Sequence, residues 1–333
     1  MTLAACAVAH SIDITHLYTM PDATPPIVAS FLDYLRYERR YSAQTLTSYG
    51  TDLQLFEAFF RNLDEGLTWA TVDADVVRDW VEHQMDRGNS AATVNRRLSA
   101  LRALYRYAMK HHLVNRDPVR VLKGPKKSKP LPKFLKEGDM NRLLDDIEWG
   151  DTFADRRDRL VLLLFYSTGM RVSELIGLDD ADVDYARGEI RVVGKGNKQR
   201  NIPFAAELRE ELQRYQALRD SRVERQVPAL IVSDHGRRMT YAQVARCVKQ
   251  RLSLVTTQQQ RSPHVLRHTF ATAMMNHHAG LETVQHLLGH ERLSTTTVYT
   301  HTTFEQLRQV YAQAHPRAKK INNKTPDIEK NDT

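Results

Sequence analysis

Only two cysteines, Cys6 and Cys247, occur in 333 residues, and they stand far apart without the close spacing of metal ligands. A disulfide framework and a zinc-type cysteine site are thereby excluded, and the thiol usage fits a reducing cytosol. Long apolar runs are missing too. None approaches the ~20 residues needed to cross a bilayer, so no membrane role is expected. The first 26 residues are mildly apolar but lack the positively charged start of a secretion signal. They are expected to be a flexible extension, or the product of a start codon set too far upstream. Internal repeats are absent, and the one biased tract is the polar tail after Pro316.

What the chain does have is positive charge. Lys and Arg number 48 against 40 Asp and Glu, a formal net charge of +8, with a pI near 9.4. That balance points to a soluble protein with an anionic partner; the alternative is an ordinary solvated basic surface. The length suits two domains, and 41% hydrophobic residues can fill two cores.

Residues 27–112 carry a helical pattern throughout. Ile27, Val28, Phe31, Leu32 and Leu35 share one face, and a second helix is expected to start at Ser42. Asp73 and Ser90 are the N-cap candidates for a third and a fourth. Four amphipathic helices can close one small core, and the aromatics are read as packing rather than as base-stacking platforms. The polar faces hold Arg36, Arg39 and Arg40 beside Tyr41-Ser-Ala-Gln-Thr45, and Asn95, Arg96, Arg97 and Arg102. Such side chains contact phosphates and base edges, or simply solvate a helix.

Residues 113–133 are rich in Pro, Gly and Lys and are expected to be a basic linker. A second, mainly helical domain is expected over 134–315, with a hairpin of Glu189–Val193 against Gln199–Phe204 closed by Gly194-Lys-Gly-Asn197. A helix over Phe304 to Ala314 should stop at Pro316, leaving 316–333 as a disordered polar tail.

Reactive groups concentrate between Ser262 and His301. His264 and Arg267 form a His-x-x-Arg pair, Leu288-Gly289-His290 follows, and Tyr299 sits in a Thr-rich setting. Imidazoles, a guanidinium fork and a phenol, with no carboxylate cluster, suggest metal-free attack on a phosphodiester. By itself a short motif is weak, and Tyr299 equally fits a half-buried helix aromatic. Upstream, Arg171 follows the Gly that ends an apolar helix, and Lys195 lies in the hairpin turn.

The motifs TGMRVSEL, GKGNKQR, HVLRHTFAT, LLGH and LSTTTVYTH stand in the order and spacing of the tyrosine recombinase (phage integrase) family, Xer type, which this chain resembles from about Ile27 to about His315. The resemblance implies a mainly α fold with a small sheet. It implies an N-terminal four-helix, SAM-like core-binding domain and a C-terminal mixed α/β catalytic domain that together clamp DNA. It also implies an active site of Arg171, Lys195, His264, Arg267, His290 and Tyr299. With it in hand, Arg36, Arg40, Thr45, Asn95, Arg96 and Arg97 are favoured as DNA contacts.

The chemistry follows from the residues. Tyr299 attacks phosphorus, and Arg171 and Arg267 take the growing charge on the non-bridging oxygens, an effect on the order of 3–4 kcal/mol per donor in other enzymes. Tyrosine titrates near pH ~10 and needs a base; His264 is the candidate and His290 the supporting donor, with the choice between the histidines left open. Lys195 is the candidate acid for the leaving 5′ oxygen, with Lys198 as fallback. A 3′-phosphotyrosyl link conserves bond energy, so no cofactor is expected. Nor is a metal: the Glu of His-Glu-x-x-His is missing, since position 265 is Val. Glu174 either orients Arg171 or faces solvent.

The resemblance further implies a homo- or hetero-tetramer on a double-stranded recombination site, assembled by exchange of the Phe304–Ala314 helix. A cell-division DNA translocase is a possible partner by the same kinship. A mobile-element integrase with identical chemistry, or a DNA-binding protein that no longer cuts, are the alternatives to a housekeeping resolvase of chromosome or plasmid dimers.

Overall fold

In the computed structural model, residues 25–126, 133–194, 197–225, 227–289 and 304–319 are described. The chain divides into two compact units, Met1–Pro130 and Leu131–Thr333.

The first unit is built from α1 (Pro26–Asp33), α2 (Ala43–Leu63), α3 (Ala74–Asp86) and α4 (Ala91–Lys110), with a π-helical turn over Tyr34–Glu38 after α1. The helix starts are set by side chains. Ser42 accepts from Thr45 N, Asp73 from Asp75 N and Val76 N, and Ser90 from Thr93 N, each relieving orphan donors of a first turn. The core is aromatic: Phe56 meets Trp80 edge-on at 4.9 Å and Trp69 at 5.7 Å. Tyr105 donates its hydroxyl to the Trp69 carbonyl at 3.0 Å. Truncating the fully buried Trp80 to Ala would cost about 3–5 kcal/mol.

The described part of the expected linker, residues 113–126, packs on the first unit. Val114 and Val119 are 4% and 0% exposed and complete the first core. Arg102 donates to the Leu122 carbonyl and Asn95 to that of Pro125. Two apolar side chains and two such bonds outweigh the extended habit of the prolines, and the first unit runs on to its last described residues at 126.

The second unit comprises α5 (Glu137–Asn141), α6 (Phe153–Thr168), α7 (Val172–Gly177), α8 (Ala206–Arg222), α9 (Tyr241–Leu252), α10 (Pro263–Asn276), α11 (Leu281–Leu288), α12 (Phe304–Ala314) and α13 (Pro316–Lys319). Helix α6 is the axis. Leu160 through Tyr166 are all fully buried, as befits a helix that is apolar on every side, and α8, α9 and α10 pack around it. Strands β1 (Val183–Asp184), β2 (Glu189–Val193) and β3 (Gln199–Pro203) form an antiparallel sheet in that order, with Val193 opposite Gln199. Asn197 takes the positive φ of 60° that the hairpin turn requires.

One expectation about the C-terminus is corrected in part. Within the expected tail, Pro316 opens α13, where Arg317 is 1% exposed and pairs with Asp145 and Glu207 at 2.7 and 2.9 Å, while residues 320–333 lie outside the described residues. Helix α12 packs on its own unit in the single chain. Its Leu307, Tyr311 and Ala314 are buried in a cluster with Phe270, Met274 and Leu287 of the same unit. Continuous apolar burial and the paired arginine hold it there.

Candidate active site

Helix α6 ends at Gly169, left-handed at φ 59°, and the chain turns through the fully buried Met170 to Arg171, the N-cap of α7. A Cβ at 169 would stand 2.4 Å from Phe270 Cδ1 and 2.8 Å from Leu288 Cδ2, so only glycine fits this crossing of α6, α10 and α11.

Arg267 lies on α10 and is 8% exposed. Its Nη1 donates to the Gly169 carbonyl at 2.6 Å and its Nη2 to the Leu288 carbonyl at 2.7 Å. These are carbonyls at the C-terminal ends of α6 and α11, left without helical partners and negative by the helix dipole. Burial first, then the nearby charge of Arg171, pull the Arg267 pKa down to about 10, which still leaves it charged near neutrality.

Arg171 is braced in the same manner. Its backbone N–H and Nη1 donate to the two oxygens of Glu174, at 2.7 and 2.8 Å, and its Nη2 to the Gly289 carbonyl at 3.1 Å. The Arg171 side chain keeps 33% of its surface exposed while that of Glu174 keeps 1%. Glu174 also receives both terminal nitrogens of Arg200 from β3, at 2.7 and 2.9 Å. Burial alone would raise the Glu174 carboxyl, but the bonds from Arg200 and Arg171 outweigh it and hold the pKa below its usual value. Of the two alternatives for Glu174, orientation of arginines is the one observed.

His264 is exposed on the first turn of α10, one turn before Arg267. His268, a turn further, is exposed too; burial, then His264 and Arg267, lower its pKa. The structure therefore brings together Arg171 and Arg267, whose carbonyl partners Gly289 and Leu288 are consecutive. Lys195, His290 and Tyr299 lie outside the described residues. Among the described residues no group of three His, Cys, Asp or Glu is placed to hold a metal ion, and no helix is long and apolar enough to cross a membrane.

The six expected DNA contacts divide. Arg36 and Arg40 are exposed on the π turn and just after it, Thr45 belongs to the capping turn of α2, and Arg96 is exposed but paired to the buried Asp52. Asn95 and Arg97 are spent on the fold. Asn95 donates to the Ala91 and Pro125 carbonyls at 2.7 and 2.8 Å, and the Arg97 side chain, 13% exposed, reaches Asp52 and Gln84.

Both units match known families. Residues 133–306 fit the phage integrase family, and residues 28–112 fit the phage integrase N-terminal SAM-like domain. The chain belongs to the phage integrase family. It is 37% identical over 302 residues to the tyrosine recombinase XerD of Pseudomonas putida, covering 90% of this chain and 100% of that one. It is 41% identical over 293 residues to the XerC of Azotobacter vinelandii, covering 87% and 96%. The fold is also that of the XerH site-specific recombinase in its post-cleavage complex with palindromic difH, at a TM-score of 0.64, 21% identity and coverage of 87% and 82%. This phage integrase family member is a site-specific tyrosine recombinase, an enzyme that breaks and rejoins DNA.

Arg200 and the carbonyls of Gly169, Leu288 and Gly289 were not expected in the site. One signal was legible: Arg200 is two residues from Ile202 on a strand, hence on its buried face. The backbone acceptors carry no side-chain signature.

Proposed function

We propose that this chain resolves dimers of a circular chromosome or plasmid by metal-independent strand exchange in the cytoplasm, through a covalent bond to Tyr299. The Tyr299 oxygen attacks the scissile phosphorus, its proton passing to His264. The bond from phosphorus to the 5′ oxygen breaks, and Lys195 protonates that oxygen. The 3′-phosphotyrosyl bond formed is then attacked by the 5′-hydroxyl of a partner strand, which restores the phosphodiester and frees the tyrosine. Arg171 and Arg267 hold the non-bridging oxygens throughout, and His290 adds a hydrogen bond to one of them.

The observation that carries this reading is the pair of guanidiniums anchored on consecutive carbonyls, Leu288 and Gly289, directly before His290. Fixed in that way, they need no reorganisation when charge develops on the phosphate. Exposed Arg36, Arg40 and Arg96 would position the duplex through its phosphates. The working assembly is a tetramer on two duplexes, alone or with a second recombinase, and a cell-division DNA translocase would be its activating partner.

A nicked duplex carrying the host's own dimer-resolution site tests the chemistry. Wild-type protein should form a covalent adduct on it and Tyr299→Phe should not. Binding by both with an adduct from neither would establish a non-cleaving DNA-binding protein instead. Conversion of a plasmid dimer bearing that site to monomers tests the biological assignment.

A further inference from the structure

Arg200 stands outside the six residues assigned to the reaction, yet its guanidinium shares Glu174 with one of them, Arg171. It shares the inward face of β3 with the fully buried Ile202, and its side chain is 13% exposed. Each of its three nitrogens has a partner: Nη1 and Nη2 take the two oxygens of Glu174, and Nε donates to the Leu287 carbonyl at 2.9 Å.

Glu174 is therefore shared. Its Oε1 receives Nη1 of both Arg200 and Arg171, while its Oε2 receives Nη2 of Arg200 and the backbone N–H of Arg171. The remaining terminal nitrogen of Arg171 goes to the Gly289 carbonyl, two residues beyond the Leu287 carbonyl that Arg200 holds. A closed ring thus joins β3, α7 and the end of α11. The approach is tight. A Cβ at Gly289, where φ is +66°, would stand 3.1 Å from Arg200 Nη1 and 3.3 Å from its Cζ.

A buried carboxylate draws in whatever cations it can reach. With Arg200 occupying both oxygens, Arg171 is needed by Glu174 through one guanidinium nitrogen only. Without Arg200, Arg171 is the one guanidinium left bonded to a buried charge, and the carboxylate would pull its fork away from the direction a phosphate requires. The Leu287 carbonyl would lose its donor in the same event, loosening the end of α11.

We propose that Arg200 is a positioning residue for strand cleavage: by saturating Glu174 and holding the Leu287 carbonyl, it keeps the guanidinium of Arg171 free to grip the scissile phosphate. The inference rests on the assignment of Arg171 to phosphate binding. Neither glutamine nor lysine reproduces three fixed donors. In Arg200→Gln and Arg200→Lys, adduct formation on the nicked duplex should slow by about 100-fold, the effect of an ångström-scale misplacement, while DNA affinity stays within about threefold.

Two readouts separate positioning from general support of the fold. With a neutral methylphosphonate at the scissile position, less positive charge is required, and the loss in Arg200→Gln should shrink to less than about tenfold. In the double variant Arg171→Ala/Arg200→Gln, cleavage should be no slower than in Arg171→Ala, since both changes remove one function. Normal cleavage by Arg200→Gln, additive losses in the double variant, an undiminished loss on the methylphosphonate, or unfolding of Arg200→Lys at the assay temperature would each overturn the proposal. Failure of the underlying assignment looks different: Arg171→Ala itself would then cleave as wild type does.

Discussion

His315 lies almost flat on Tyr311, with ring centroids 5.0 Å apart and planes 16° from parallel. It is fully buried, its Nε2 bonded to the Tyr166 carbonyl at 3.0 Å and its Nδ1 accepting from the Arg317 backbone N–H at 3.1 Å. Both bonds are met by the neutral ring with the proton on Nε2. A second proton has no acceptor, and burial, joined by the nearby charges of Arg317 and His277, lowers the pKa to about 4 against its bond to the Tyr166 carbonyl.

Acid should therefore loosen the C-terminal helices first. The folded pKa lies below the ordinary value near ~6.5, so the stabilisation is complete above that value and drains away as pH falls toward 4. On the order of 3 kcal/mol is at stake. Urea unfolding between pH 7.5 and 4 should show His315→Phe losing less stability than wild type over that interval; parallel curves would refute the assignment.

Replacing Arg267 with Lys tests the carbonyl anchoring. One ammonium cannot bridge the Gly169 and Leu288 carbonyls in the geometry of a planar fork. Adduct formation should fall by about 100-fold or more, and a rate within a few-fold of wild type would mean the fork is not needed.

Gly169→Ala is the corresponding backbone test. A left-handed alanine costs about 1–3 kcal/mol, and forcing Cβ against Phe270 and Leu288 adds about 1–3 kcal/mol more. The melting temperature should drop, and cleavage should fall beyond what the remaining folded fraction explains, because the Gly169 carbonyl that holds Arg267 moves with the turn. A purely thermal effect, with full activity at low temperature, would separate the turn from the site.

These cases show what a linear sequence discloses. Caps at Ser42, Asp73 and Ser90, the apolar run of α6 and the Gly194–Asn197 turn are local chemistry, and the helices and hairpin they mark are present. Helix α7 is not delimited by the sequence because six residues hold too little periodicity to mark its bounds. Val114 and Val119 were hidden among prolines and lysines, and their burial depends on a core assembled from helices far away in sequence. The site was legible as side chains only. That Arg171 and Arg267 brace on neighbouring carbonyls, and that Glu174 serves two arginines, are properties of helix ends meeting in space.

Asp52 offers a stability prediction in the first unit. It is 2% exposed, and burial raises its pKa in spite of Arg96 and Arg97, so the charged form is a net burden that the arginines only partly relieve. Because the folded pKa is raised, the penalty grows as pH climbs through it and is fully present at neutrality. Arg97→Ala should then cost about 1–3 kcal/mol at pH 7. Asp52→Asn should be neutral or stabilising, and adding it to Arg97→Ala should recover part of the loss. Independent, additive effects in urea melts would contradict the coupling.

DNA affinity should sort the arginines by what else they do. Arg36 pairs with Asp33 at 3.9 Å and lies over the Tyr37 ring at 5.9 Å from its centroid, and its side chain is 55% exposed; Arg40 is exposed as well. A guanidinium so lightly held costs little to redirect to a phosphate, and each such contact releases about one counterion. Arg36→Ala and Arg40→Ala should each weaken binding similarly on specific and unrelated duplexes and reduce the salt slope by about 1. Asn95→Ala should act by another route, lowering the melting temperature by freeing the Pro125 carbonyl and leaving the salt slope intact, because its amide is already committed at 2.7 and 2.8 Å. Titrations at 50, 100 and 200 mM salt distinguish the two classes, and an Asn95→Ala variant that melts normally but loses sequence discrimination would return that residue to the groove.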